Sequence, residues 1–192
     1  MKKITLILII AIFSGCQNTS DDFDGGGANA DIPVGAIKES FPDDPERVKV
    51  TVKYTSGVIQ AQGDYYKGLR HGNWIEYDNK GIVSVITPYH MGKKEGTGIK
   101  MNANGQLEER ISYHNDQKHG FNIVYNRNKI KEEKYYENGL LEGVKKVYYD
   151  NEVLLEESTY EKGQLNGISK WYDQNGNLSF EYVYENGKLI KQ

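Results

Sequence analysis

The chain has 192 residues but a single cysteine, Cys16, so an internal disulfide framework is excluded. It has four prolines, too few for a proline-rich scaffold. Its one long apolar run, residues 4–13, falls short of the roughly 20 residues that a helix needs to cross a bilayer. Basic residues do not cluster: 24 Lys and Arg are spread against 27 Asp and Glu, which argues against a nucleic-acid partner. No nucleophile–base set and no glycine-rich phosphate loop stands in the sequence, so the expectation is a non-enzymatic protein without a cofactor. What the chain has in excess is glycine (21) and tyrosine (15), the composition of short strands joined by many turns.

Residues 1–15 read as a targeting segment, with Lys2 and Lys3 before the apolar stretch Ile4 to Phe13. Phe13-Ser14-Gly15-Cys16 resembles the lipobox of bacterial lipoproteins, which implies cleavage before Cys16 and its acylation as a membrane anchor. Four residues later, Ser20, Asp21, Asp22, Phe23 and Asp24 resemble the acidic export signal found behind the lipobox in some Gram-negative bacteria. The expected address is an outer-membrane lipoprotein exposed at the cell surface. Residues 16–47 carry eight acidic and two basic side chains and hold Gly25 to Gly27, Pro33, Pro42 and Pro45. They read as a flexible acidic tether with a reach of the order of 40 Å, leaving residues 48–192 as a near-neutral domain.

That domain is a repeat. One glycine recurs at Gly72, Gly96, Gly120, Gly143 and Gly167, at spacings of 24, 24, 23 and 24 residues. Four residues before each stand Gly68, Gly92, Asp116, Gly139 and Gly163; seven before stand Tyr65, Tyr89, Tyr113, Tyr136 and Tyr160. A further turn recurs at Gly57, Gly81, Gly105, Asn128, Glu152 and Gly176. Each glycine is expected at a turn with positive φ. Between turns the pattern alternates, as in Val48, Val50 and Val52 against Lys49, Thr51 and Lys53, so a 24-residue unit holds two strands. The predicted fold is all-β: a single-layer antiparallel meander of five to six hairpin repeats, opening at about residue 48.

The unit, Tyr-x-x-Gly-x-x-x-Gly-x-x-x-(Trp/Val)-Tyr-x-x-x-Gly, resembles the MORN repeat, and in particular the bacterial variant of YwqK antitoxin-like proteins. The resemblance covers residues 54–192 and departs from the pattern at Asp116, Asn128 and Glu152. It implies a protein-binding module, with an antitoxin-like role that sequesters a toxin. The alternative is a structural or adhesive envelope module that contacts glycan or another surface protein.

The candidate binding face follows from counting across the turns. Glu109, Glu132 and Glu156 form a column, each four residues before Tyr113, Tyr136 or Tyr160. Pairing Tyr148 with Leu154 would set Lys146 opposite Glu156, with Lys170 in the next copy. The expectation is a charged stripe of Glu132, Lys146, Glu156 and Lys170 crossing one face that also carries Tyr113, Tyr136, Tyr148, Tyr160 and Tyr172. Equivalent residues in successive copies lie two strands, about 9.6 Å, apart. On that spacing His90 and His114, or His71 and His119, cannot share a metal, and no metal site is expected.

Overall fold

The computed structural model describes residues 32–191, and these form one open antiparallel sheet of fifteen strands. The strands are β1 (Ile37–Phe41), β2 (Asp44–Lys53), β3 (Ile59–Tyr66), β4 (Leu69–Tyr77), β5 (Val83–His90), β6 (Lys93–Lys94), β7 (Gly96–Met101) and β8 (Leu107–His114). They continue as β9 (Gln117–Asn126), β10 (Lys129–Glu137), β11 (Leu140–Tyr148), β12 (Leu154–Glu161), β13 (Gln164–Tyr172), β14 (Leu178–Glu185) and β15 (Lys188–Lys191). Spatial order follows chain order, with the short β6 attached to β5 off the main path. The expected meander is therefore the observed fold. Cys16 and residues 20–24 lie outside the described residues.

The sheet begins earlier than its alternation announces. Residues 37–41, assigned to the tether, form β1, whose Ile37 and Lys38 pair with Thr51 and Val50 of β2. Pro45 does not prevent β2 from forming, because pairing to β3 starts only at Arg47, so its missing N–H breaks no ladder bond. Ile32 and Ala36 also pack on the core, so residues assigned to the tether contribute to the folded sheet.

Two kinds of glycine that look alike in sequence do different jobs. Lys67-Gly68, with φ of 52° and 79°, is a two-residue turn of the primed type that suits a twisted hairpin. Asn115-Asp116 adopts the same conformation (50° and 68°), so the departure at Asp116 leaves the turn intact; Asn128 and Glu152 likewise sit at 66° and 67°. Gly72, in contrast, is not in a turn. It lies inside β4 with φ 75°, beside a register shift between Gln62 and Asp64. Its glycine is needed for a bulge, which corrects the expectation of a second turn there.

A further bulge recurs where each long turn enters its returning strand. Tyr148 pairs with Leu154, but Val147 pairs with Glu156, so Leu155 is an extra residue. The same slip occurs beside Lys53, Tyr77, Met101, Ile130 and Tyr172. Side chains paired across strands share a face, so each bulge changes which residues appear together.

Register pairing sorts the side chains into two faces. On one, here the packed face, Val50, Ala61, Tyr65, Trp74 and Tyr89 form the buried core. Tyr65 meets Trp74 edge-on at 5.9 Å, and the Arg70 guanidinium lies 4.5 Å from the Trp74 ring centre and 5.3 Å from that of Tyr89. Arg70 also donates to the Tyr89 hydroxyl at 3.2 Å. The arrangement repeats, with Lys94 over Tyr113 and Lys118 over Tyr136 at 5.4 and 5.6 Å. From Leu141 onward leucine takes that slot, at Leu165 and Leu189.

Glu76 is at odds with this core. It faces the packed side between Ala61 and Val85, and burial pushes its carboxyl above the usual range, with Arg70 and Lys94 pulling it partly back. A carboxyl raised on folding favours the folded state fully below its unfolded value, and that advantage is lost as pH rises through the folded value. Glu76→Gln is thus expected to raise the melting temperature at pH 7 by about 1–3 °C and to give no gain near pH 4, as calorimetry at both pH values would show.

Candidate binding surface

The bulges rearrange the expected stripe. Lys146 pairs with Glu157 and Glu133, not with Glu156, and lies on the opposite face from Glu132 and Glu156. It is Lys145 that bridges these two carboxylates, at 3.9 Å from Glu132 and 3.8 Å from Glu156. Lys134 adds a further ion pair to Glu132, and the Ser158 hydroxyl donates to Glu156 at 2.8 Å. Burial opposes the charge on Lys134, but the hydrogen bond and charge of Glu132 outweigh it and hold its pKa above the ordinary value. In the adjoining repeat the Asn122 amide donates to Glu109 at 2.9 Å. This chain of charges, about a fifth exposed, belongs to the packed face of the C-terminal half, together with Tyr113, Tyr136 and Tyr160. Its role is to satisfy groups that an apolar core would otherwise strand.

The open face carries the other row. Glu133, Lys146, Glu157, Lys170 and Glu181 are paired neighbour to neighbour across β10 to β14, an alternating ladder of five charges. Lys170 lies 3.9 Å from Glu157, whereas Lys146 has no ion pair within 4.0 Å among the described residues. Tyr148 and Tyr172 flank the ladder and donate their hydroxyls to Glu133 at 2.9 Å and Glu157 at 3.2 Å. Burial, then the hydrogen bond and charge of Glu133, push the Tyr148 phenol up to about 12. It therefore remains a donor throughout the neutral range. The ten residues expected on one face are thus divided: six on the packed side, and Lys146, Lys170, Tyr148 and Tyr172 on the open side.

Beside the ladder, nearer the two-residue turns, runs an apolar row that reading the sequence alone did not find. Phe121, Val144 and Ile168 occupy one slot in successive repeats and are 61%, 47% and 45% exposed. Their cross-strand partners are Tyr135, Thr159 and Val183. In the two preceding repeats the slot holds Asn73 and Thr97, so the row exists only in the C-terminal half. A comparison of that slot along the repeats would have revealed it. Exposed aromatic and aliphatic side chains beside fixed charges suit contact with another protein. Two depressions of about 190 and 310 Å³ lie along the long-turn edge, one lined by Tyr54, Tyr77 and Asp78, the other by Lys131, Tyr149 and Gln174.

An open antiparallel sheet of tandem hairpins defines a β-repeat scaffold. A model of the MORN repeat variant matches two adjacent repeats, residues 141–162 and 165–186. MORN repeats are in general modules that bind proteins or membranes. No curated protein matches the chain. Among solved structures, TarM is similar at 18% identity over 51% of this chain, with a TM-score of 0.35. A Staphylococcus aureus TarM mutant in complex with Fondaparinux, alpha-GlcNAc-glycerol and UDP is similar at 17% identity over 50%, also at 0.35. The matched part spans about a fifth of the TarM chains (20% and 19%), and the similarity carries no argument about function.

Proposed function

We propose that this chain is a non-enzymatic, lipid-anchored module of the bacterial cell surface that binds another protein through the open face of its C-terminal half. The observation that carries the reading is the pairing of the exposed Phe121–Val144–Ile168 row with the Glu133-to-Glu181 charge ladder. The apolar row supplies area to bury; the alternating charges set register and reject partners whose charges fall out of phase. The resemblance to YwqK antitoxin-like proteins favours a toxin as that partner, held by sequestration. Cys16, acylated, would supply the anchor, and residues 20–24 the export signal.

The test is a pull-down with the tagged chain against the double variant Lys146→Glu/Lys170→Glu. One polypeptide recovered in near-equal amount, and bound at least tenfold more weakly by the variant, is the expected result. Equal recovery by a variant that melts like the native chain would refute the surface.

A glycan-binding envelope module is the second reading, favoured by a separate observation. Trp171 and Phe180 both contact Tyr182 on the packed face, at 5.5 and 6.4 Å between ring centres, and Phe180 is 58% exposed. Flat aromatic surfaces of this kind suit the apolar faces of sugars.

A further inference from the structure

The histidines compared in the sequence are equivalents in different repeats. The sheet brings together a different set. His71 of β4 and His90 of β5 stand on adjacent strands, one residue beyond the paired Gly72 and Tyr89. Their ring centres are 5.3 Å apart with planes inclined at 51°. Two imidazoles bound to one tetrahedral zinc ion, with bonds of about 2.0–2.1 Å, would place their ring centres about 5.2 Å apart. The rings already have that separation.

A second observation points to the same place. Nδ1 of His71 is shut off from solvent and has no hydrogen-bond partner. A polar atom in that state is uncommon and is open to an ion or a water as partner; Asn122 Oδ1 and Ser169 Oγ share it, but neither stands beside a second metal-ligating nitrogen. The other histidine pair provides the contrast. His114 and His119 are 5.7 Å apart, but His114 uses Nδ1 on Glu95 at 2.9 Å and Nε2 on the Asn115 amide at 2.9 Å. His119 accepts the Asn138 N–H at Nδ1. No such hydrogen bond occupies either ring of the first pair among the described residues. The nearby Glu95 carboxyl is held below its usual range, chiefly by the Asn115 N–H and then by His114, so it adds negative charge near His90 at neutral pH.

We propose that His71 and His90 form a cross-strand site for a borderline divalent transition-metal ion, zinc being the one whose geometry matches the ring spacing. Among the described residues no cluster of three or more His, Cys, Asp or Glu side chains is arranged around a common metal position, so water fills the remaining coordination. Such a site staples β4 to β5 on the open side of the N-terminal half, across the sheet from the apolar core, and does not depend on the reading of the C-terminal half above.

Titration of zinc chloride into the purified protein, followed by calorimetry and by thermal melting, tests the site. One equivalent should bind, and melting temperature should rise with zinc concentration, as for a ligand of the folded state. His71→Ala and His90→Gln should each weaken that component at least tenfold and abolish the shift; His114→Ala should leave both unchanged. His90 is exposed, so its variant keeps the fold even where loss of His71 disturbs it. Binding undiminished in His90→Gln, equally lost in His114→Ala, or absent from the native chain overturns the proposal.

Discussion

Trp74→Ala is expected to destabilise the domain by about 3–5 kcal/mol, measured by chemical denaturation. Trp74 is only 4% exposed, in a core that has few members to share the loss. A single-layer sheet has no second layer to close the gap, so the cavity opens directly against Val50, Tyr65 and Arg70. Arg70 suffers as well, because the indole is one of the two rings over which its charge is placed. The buried guanidinium would keep Tyr89 and the hydroxyl of Tyr65, at 3.5 Å, as its remaining company. A loss of less than about 1 kcal/mol in the denaturant titration would show that the core described above is not what holds this end together.

The reverse change tests the same contact from beneath. Gly63 lies under the indole: a Cβ built there overlaps Trp74 at Cε3 and comes within 3.1 Å of the Asn73 carbonyl and 3.2 Å of the Trp74 Cα. Two of those three atoms are backbone, so rotating the indole away would relieve only part of the crowding. Gly63→Ala should cost about 1–3 kcal/mol by overpacking, even though alanine suits a strand better than glycine. The two substitutions share one contact and are expected to be non-additive. In a chain that already carries Trp74→Ala, Gly63→Ala should cost clearly less than it does alone. Full additivity would separate Gly63 from Trp74.

Much of this architecture was legible because it is written in short-range chemistry. Turn positions such as Gly57 and Gly68, repeated about every 24 residues, specify where the chain reverses, and alternation specifies that strands lie between. Neither signal depends on distant residues. What was not legible is the parity of the long-turn bulge. Leu155 looks like any strand residue, yet as the extra residue it transfers Lys146 from the face of Glu156 to that of Glu157. A slip of one position inverts every inference about which side chains meet. The histidines show the other gap: equivalence in sequence is not adjacency in space, since the neighbour of a strand is its antiparallel partner and not its copy. The early start at β1 was hidden by prolines that fall outside the paired positions.

The packed face also changes character along its length. The slot filled by Val50 and Trp74 near the N-terminus passes through Gly98, Asn122 and Lys145 to Ser169. Each repeat leans mainly on its neighbours, so cohesion is a local property here, and it declines from one end to the other. Such a molecule is not equally firm along its length. It behaves as a gradient, firm where the chain enters the sheet and yielding toward β15, with the proposed recognition surface on the yielding side. A partner docking there would meet the half of the sheet with the smaller apolar core.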